Sequence, residues 1–159
     1  MRINVAHAVF VVLVSFIIVS VALPISLYYI SLLAFPNQAK GDPLYYNGTL
    51  VGYKYVYINI SSTGFFNASA TYYMSPIVTE SYAMQQVKVL NESCHIPYTY
   101  LVSLVKNYTY YDPLAGKRLV NVNLLNLALL KYYSENPRFH QLYRFGIERI
   151  RSLNYSAYF

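Results

Sequence analysis

Six asparagines, Asn47, Asn59, Asn67, Asn91, Asn107 and Asn154, each stand two residues before a serine or threonine. That spacing is the acceptor pattern for glycan transfer on an exported surface. Chance placement in a chain of this Asn, Ser and Thr content would give about 1.5 such triplets. The excess favours a chain that faces the outside, with compositional accident as the competing explanation. Other reactive side chains do not assemble. Cys94 is the single cysteine, so no internal disulfide supports the chain, and its neighbour is His95. A Cys-His pair alone is too small a donor set for zinc, and both are read as structural. The six acidic residues are scattered, without a close pair for acid–base work. No glycine-rich phosphate loop and no His/Asp/Glu cluster with ligand spacing occurs. The expectation is a non-catalytic chain that binds no cofactor or metal directly.

The element that must place these residues comes first in the chain. Residues 3 to 39 contain no Asp, Glu, Lys or Arg. About 20 apolar residues span the hydrocarbon of a bilayer, and the stretch 8–35 exceeds that. A helix there satisfies its own backbone, so Val, Ile, Leu and Phe can face lipid all round. A buried core helix is the alternative, but such helices seldom run so long without a polar face. The run is too long for a secretory signal and lacks an Ala-x-Ala exit, and His7-Ala8 is a poor pilin-type leader, so the segment is expected to stay as an anchor. With no ionisable side chain inside it, the segment cannot by itself relay protons or bind a cation. Pro24 lies inside the run and removes one helical hydrogen bond, which predicts a kink or a helix–helix contact. One basic residue flanks each end, Arg2 and Lys40, so the charge rule for orientation is weak. The six triplets all follow the helix and point to an amino terminus inside and a main domain outside.

The predicted architecture is α+β: residues 1–7 cytoplasmic, a transmembrane helix over 8–35, a small extracytoplasmic domain over 36–130 and a basic amphipathic tail over 131–159. Pro36 is expected to end the helix, with Gln38 satisfying exposed carbonyls and Gly41 turning the chain. Asn47-Gly48 between two β-rich runs is a strong hairpin signal. Tyr53 to Ile60 reads as further strand. Pro76 is expected to open a helix to about Leu90 with Ala83, Val87 and Leu90 on one side, and Ser93 and Pro97 to start a second in which Leu101, Leu104, Val105 and Tyr108 recur at helical spacing. Val120, Val122 and Leu124 alternate with Asn121 and Asn123, as in a strand. From Asn136 a third helix carries Phe139, Leu142, Tyr143, Ile147 and Ile150 opposite its arginines, and lipid, a partner or the domain itself could receive that stripe. The twenty tyrosines suit a sheet surface, with sugar or base stacking as the alternative. The net charge of +6 is dispersed, and no nucleic-acid module pattern appears.

Specific blocks then resemble a known family. Ala22-Leu23-Pro24-Ile25 and the exit Phe35-Pro36-Asn37-Gln38-Ala39-Lys40-Gly41 are similar to the KdpC family, the small subunit of Kdp-type potassium-transporting P-type ATPases. Asn47-Gly48-Thr49-Leu50-Val51-Gly52 resembles that family's first strand. Gly64-Phe65-Phe66-Asn67-Ala68-Ser69-Ala70 looks like its Tyr-Phe-x-Gly-Arg-Pro-Ser-Ala turn. Ser75-Pro76-Ile77-Val78-Thr79, with Ala83 and Gln86-Val87, parallels its Asp-Pro-His-Ile-Ser motif. Pro97 to Tyr108 and Val120 to Leu130, including Asn121 and Asn126, match its second helix and closing block. The chain departs by passing directly from Ala70 to Ser75, where the family has several tens of residues. It carries Ser75 and Ile77 in place of the acidic and imidazole members, and it adds a tail after Leu130.

The resemblance implies a subunit of a high-affinity, ATP-driven potassium uptake system. It would join a channel-like potassium-binding subunit to a P-type ATPase subunit, which handle the potassium and ATP, in contact with membrane lipid and without nucleic acid. The family is also described as a catalytic chaperone for ATP binding by the P-type subunit. An outer domain could not touch cytosolic ATP and the chain shows no phosphate cradle, so assembly and capping of the ion entrance fit better. A single-pass envelope glycoprotein or pilus-like structural protein is the alternative class.

Overall fold

The computed structural model describes residues 5–57, 60, 64–68 and 75–156, with side chains through Leu153. The chain divides into two compact units, Met1–Lys40 and Gly41–Phe159. The first is helical. α1 (Val5–Ile17) passes through a π turn (Ile18–Ala22) into α2 (Leu23–Ala34), and a one-turn α3 (Pro36–Ala39) follows. Val5–Ala34 is long and apolar enough to cross a membrane, and none of α1 or α2 is buried. No residue of α1 or α2 is hidden within its own unit, whereas a core helix hides at least one face. The helix carries a π turn just before Pro24, where a kink is expected. Pro24 has no N–H to give the carbonyl four residues back, and the ladder widens just before it, Leu23 N–H donating to Ile18 O.

The second unit begins with a hairpin, β1 (Pro43–Tyr46) against β2 (Thr49–Tyr53), antiparallel and with a bulge between Leu44 and Tyr45. Its turn residues Asn47 and Gly48 have φ of 47° and 73°, the double left-handed geometry that matches the twist of two-residue hairpins. A second antiparallel sheet has the order β3-β5-β4, formed by β3 (Ile77–Thr79), β4 (Thr109–Asp112) and β5 (Lys117–Asn121). Four helices complete the unit: α4 (Glu80–Cys94), α5 (Tyr98–Tyr108), α6 (Val122–Glu135) and α7 (His140–Ser156). α4 packs on α5 and on β3 and β5, while α6 packs on α5, α7 and the first hairpin. Ala83, Val87, Leu101, Val105, Leu125, Leu129 and Tyr133 are fully hidden between them.

Several expectations need correction. Pro76 does not open a helix. It precedes β3, and Thr79 caps α4 by accepting a hydrogen bond from Tyr82 N. β2 ends at Tyr53 and the chain bends through Lys54–Val56, where side chains of Asn121, at the end of β5, and Asn123, in α6, take up its carbonyls; 58–59 lie outside the described residues. The alternation of Val120, Val122 and Leu124 stops being a strand at Asn121, whose side-chain oxygen accepts from Asn123 N and caps α6. Ser93 belongs to α4, and α5 starts after Pro97. After Asn136 a 3-10 turn, Pro137–Phe139, precedes α7. α6 runs without a break through Leu130, and Tyr133, Phe139 and Ile150 beyond it lie in the core. The stripe of α7 is therefore received by its own domain.

Candidate functional site

The exit from the apolar helix is set by backbone geometry. Phe35 leaves helical space at φ −135°, ψ 60°, the residue before proline being driven out of the α region, and Pro36 occupies the first position of α3. The exposed carbonyls of Phe35, Pro36 and Asn37 are taken by the N–H groups of Ala39 and Lys40, so the role expected of Gln38 falls to the main chain. Gln38 and Ala39 are exposed on α3. Gly41 and Asp42 follow with φ of 82° and 56°, and Asp42 meets Lys54 at 3.7 Å. The neighbouring Tyr55, more than Asp42, raises the pKa of Lys54.

Within the second unit, four amide side chains grip an irregular segment. Asn126 on α6 accepts from Phe66 N at 2.8 Å and donates to Phe66 O at 2.9 Å. Gln86 on α4 does the same for the next residue, accepting from Asn67 N at 2.7 Å and donating to Asn67 O at 2.9 Å. In an extended chain, consecutive residues present their N–H and C=O to opposite sides. The backbones of Phe66 and Asn67 are thus paired, as in a ladder, with side chains of two different helices. Farther back, Asn121 Nδ2 donates to Lys54 O, and Asn123 Nδ2 to Tyr53 O and Val56 O. Tyr133 donates its hydroxyl proton to Gly64 O, and Tyr57 accepts from Ala68 N. Burial drives the Tyr133 phenol well above its ordinary range. Tyr57 rises for the same first cause.

The residues singled out from sequence thus separate into groups. Gln86, Asn121 and Asn126 converge on the 53–68 segment. Pro76 accepts from Val122 N at 2.8 Å, tying the start of β3 to the start of α6. Gly52 is buried in β2 opposite Leu44, at φ 156°. Pro24, Phe35, Pro36, Gln38 and Ala39 belong to the first unit, and Ser69 lies outside the described residues. Of the triplet asparagines, Asn47 and Asn107 are exposed. Asn67 is half-buried, and Asn91 uses its amide nitrogen to hold Ile96 O at 2.7 Å. Asn59 and the side chain of Asn154 lie outside the described residues. Cys94 and His95 form a helix end: Cys94 is the last residue of α4 and His95, at φ 56°, caps it. Among the described residues no group of three or more His, Cys, Asp or Glu could hold a metal.

Three features were missed. Asn123 and Tyr133 are latch residues, and their signal was the helical spacing of Val122, Leu125, Leu129 and Tyr133 behind a capping asparagine. The third is a groove of about 440 Å³ lined by Tyr45, Tyr46, Tyr100, Tyr108, Lys131 and Tyr132 with Glu135. Tyr100 stacks on Tyr132 with ring centroids 4.2 Å apart, and Tyr46 shares a hydrogen bond with Ser134. Burial first, and Tyr132, Glu135 and Tyr108 second, push Tyr100 up to about 12.

A family model described as K+-transporting ATPase, c chain, matches residues 5–75. Over that span the chain is similar to the KdpC family. The match takes in the apolar helix, its exit, the first hairpin and the whole latched segment. The latching side chains on α4 and α6 follow it, and there the likeness to KdpC rests on the blocks quoted from the sequence. No curated protein matches the chain. Family and helix together fit a membrane-anchored, single-pass chain.

Proposed function

We propose that the chain is the non-catalytic c subunit of a K+-transporting ATPase, holding channel-like and P-type subunits together. The carrying observation is the continuous match from the apolar helix to Ser75, because it joins an anchor and a domain entry of one known subunit type. A single helix encloses no pore, so ion passage belongs to partners. Potassium and ATP are then handled by those partners, and any chaperone effect on nucleotide binding would pass through subunit contact. The latches support the assembly role by giving a short domain of irregular chain one fixed surface. The excess of Asn-x-Ser/Thr triplets supports placing that domain outside. Nothing in the comparisons favours the envelope-glycoprotein alternative.

Purification of the tagged full chain in mild detergent tests the reading. Two larger membrane subunits should accompany it, and protease added to intact cells should digest the region after Gly41. Recovery as a homopolymer would overturn the pump reading. Protection of the domain until lysis would reverse the orientation alone.

A further inference from the structure

The β4–β5 hairpin carries an apolar tip that the domain itself does not use. Leu114 is 98% exposed, and Tyr111 and Tyr110 just before it are 64% and 45% exposed. A single exposed leucine needs no explanation, but this one is held outward. Asp112 Oδ1 accepts from Leu114 N at 2.9 Å and from Ala115 N at 3.2 Å, an arrangement that fixes the turn from within. The strands stay in register up to Asp112 opposite Lys117, and Gly116 closes the loop at φ 61° with open space around its Cβ position. Held in that turn, Leu114 stays clear of the tyrosines behind it. Lys117 and Arg118, both exposed, stand at the base of the tip, Arg118 steadied by Glu80 at 3.0 Å.

We infer that this hairpin is a lipid-surface contact, with Leu114 entering the headgroup–acyl boundary, the tyrosines at headgroup level and Lys117 facing lipid phosphate. Aromatic rings with one wet end and cations beside an apolar tip are the composition suited to that boundary. Chain connectivity supplies the second argument. The second unit begins at Gly41, the residue after Lys40, so the domain is joined to the apolar helix with no linker between the two units. A domain tethered that closely meets lipid at high effective concentration, and a small apolar tip then suffices. The inference rests on the membrane anchoring of the helix but not on the pump reading.

The chain contains no tryptophan, so one introduced residue reports its own surroundings. Full-length L114W, reconstituted in vesicles containing brominated-acyl lipid and anionic headgroups, should show blue-shifted emission and be quenched at least twofold relative to unbrominated vesicles. F16W, in the exposed apolar helix, serves as the reference for membrane depth. If F16W is quenched while L114W emits as in water and is quenched by acrylamide, the tip is solvent-exposed and the inference is overturned. Shielding of L114W from both quenchers would mean contact with protein and would equally overturn it. Failure of F16W to be quenched would overturn it by removing the anchor.

Discussion

Asn126 and Gln86 do similar bonding with different consequences, because their targets differ in burial. Phe66 is 1% exposed, while Asn67 is half-buried. Removing Asn126 leaves a buried N–H and a buried C=O unpaired, each costing about 1–3 kcal/mol. N126L should therefore lower the unfolding free energy of the domain by about 2–6 kcal/mol. Q86A should cost less, about 1–2 kcal/mol, since water can reach Asn67. Urea unfolding of the detergent-solubilised chain, followed by near-ultraviolet circular dichroism of the tyrosines, measures both. A loss for Q86A equal to or larger than that for N126L would refute the ranking by burial. These pairings were not legible in the sequence. An amide at Asn126 announces that it is polar but not which backbone it meets, and its target lies 60 residues earlier.

Local chemistry made other elements readable. The Asn47-Gly48 turn follows from two residues that tolerate positive φ, and the inward face of α4 from the spacing of Ala83, Val87 and Leu90. β3 was misread as helix because a strand of three residues has no period of its own. It exists through pairing with Leu119–Asn121, some forty residues on. α7 shows the same dependence on distant chain at Gly146. A Cβ there would lie 2.6 Å from Phe65 Cζ and 2.9 Å from Leu130 Cδ2. Alanine is worth about 1 kcal/mol over glycine in a helix interior, so propensity alone makes G146A stabilising. Overpacking of a close core costs about 1–3 kcal/mol, and here the collision partners are buried. The expected outcome is net destabilisation, with α7 displaced from Phe65. A thermal midpoint for G146A at or above that of the parent would show that α7 docks loosely.

At the scale of the whole folded unit, the tyrosines set an alkaline limit. Folding raises the Tyr133 phenol by burial and raises Tyr100 to about 12, whereas unfolded tyrosine titrates near 10. The unfolded chain then releases protons first as pH increases. The stability linked to these groups is fully present below pH about 10 and is lost as pH rises through the folded values. Unfolding midpoints should be level from pH 8 to 10 with respect to these groups and fall above it. Y133F should be less stable at pH 8 by about 1 kcal/mol, having lost the bond to Gly64 O. It should also fall less steeply above pH 10. Identical alkaline slopes for the two proteins would exclude Tyr133 as a source of the limit.

The latches also fix an order of events during synthesis. Gly64, Phe66 and the bend after Tyr53 wait for partners between Asn121 and Tyr133, which leave the ribosome some 60 to 70 residues later. At about 5–20 residues per second, that interval lasts on the order of 3 to 14 s. The apolar helix has by then been made and can already be in the bilayer. Two phenylalanines and an unpaired stretch of backbone must meanwhile be sheltered by something other than their own domain. A nascent chain stalled shortly after Ser75 is therefore the form of this protein most exposed to quality-control proteases.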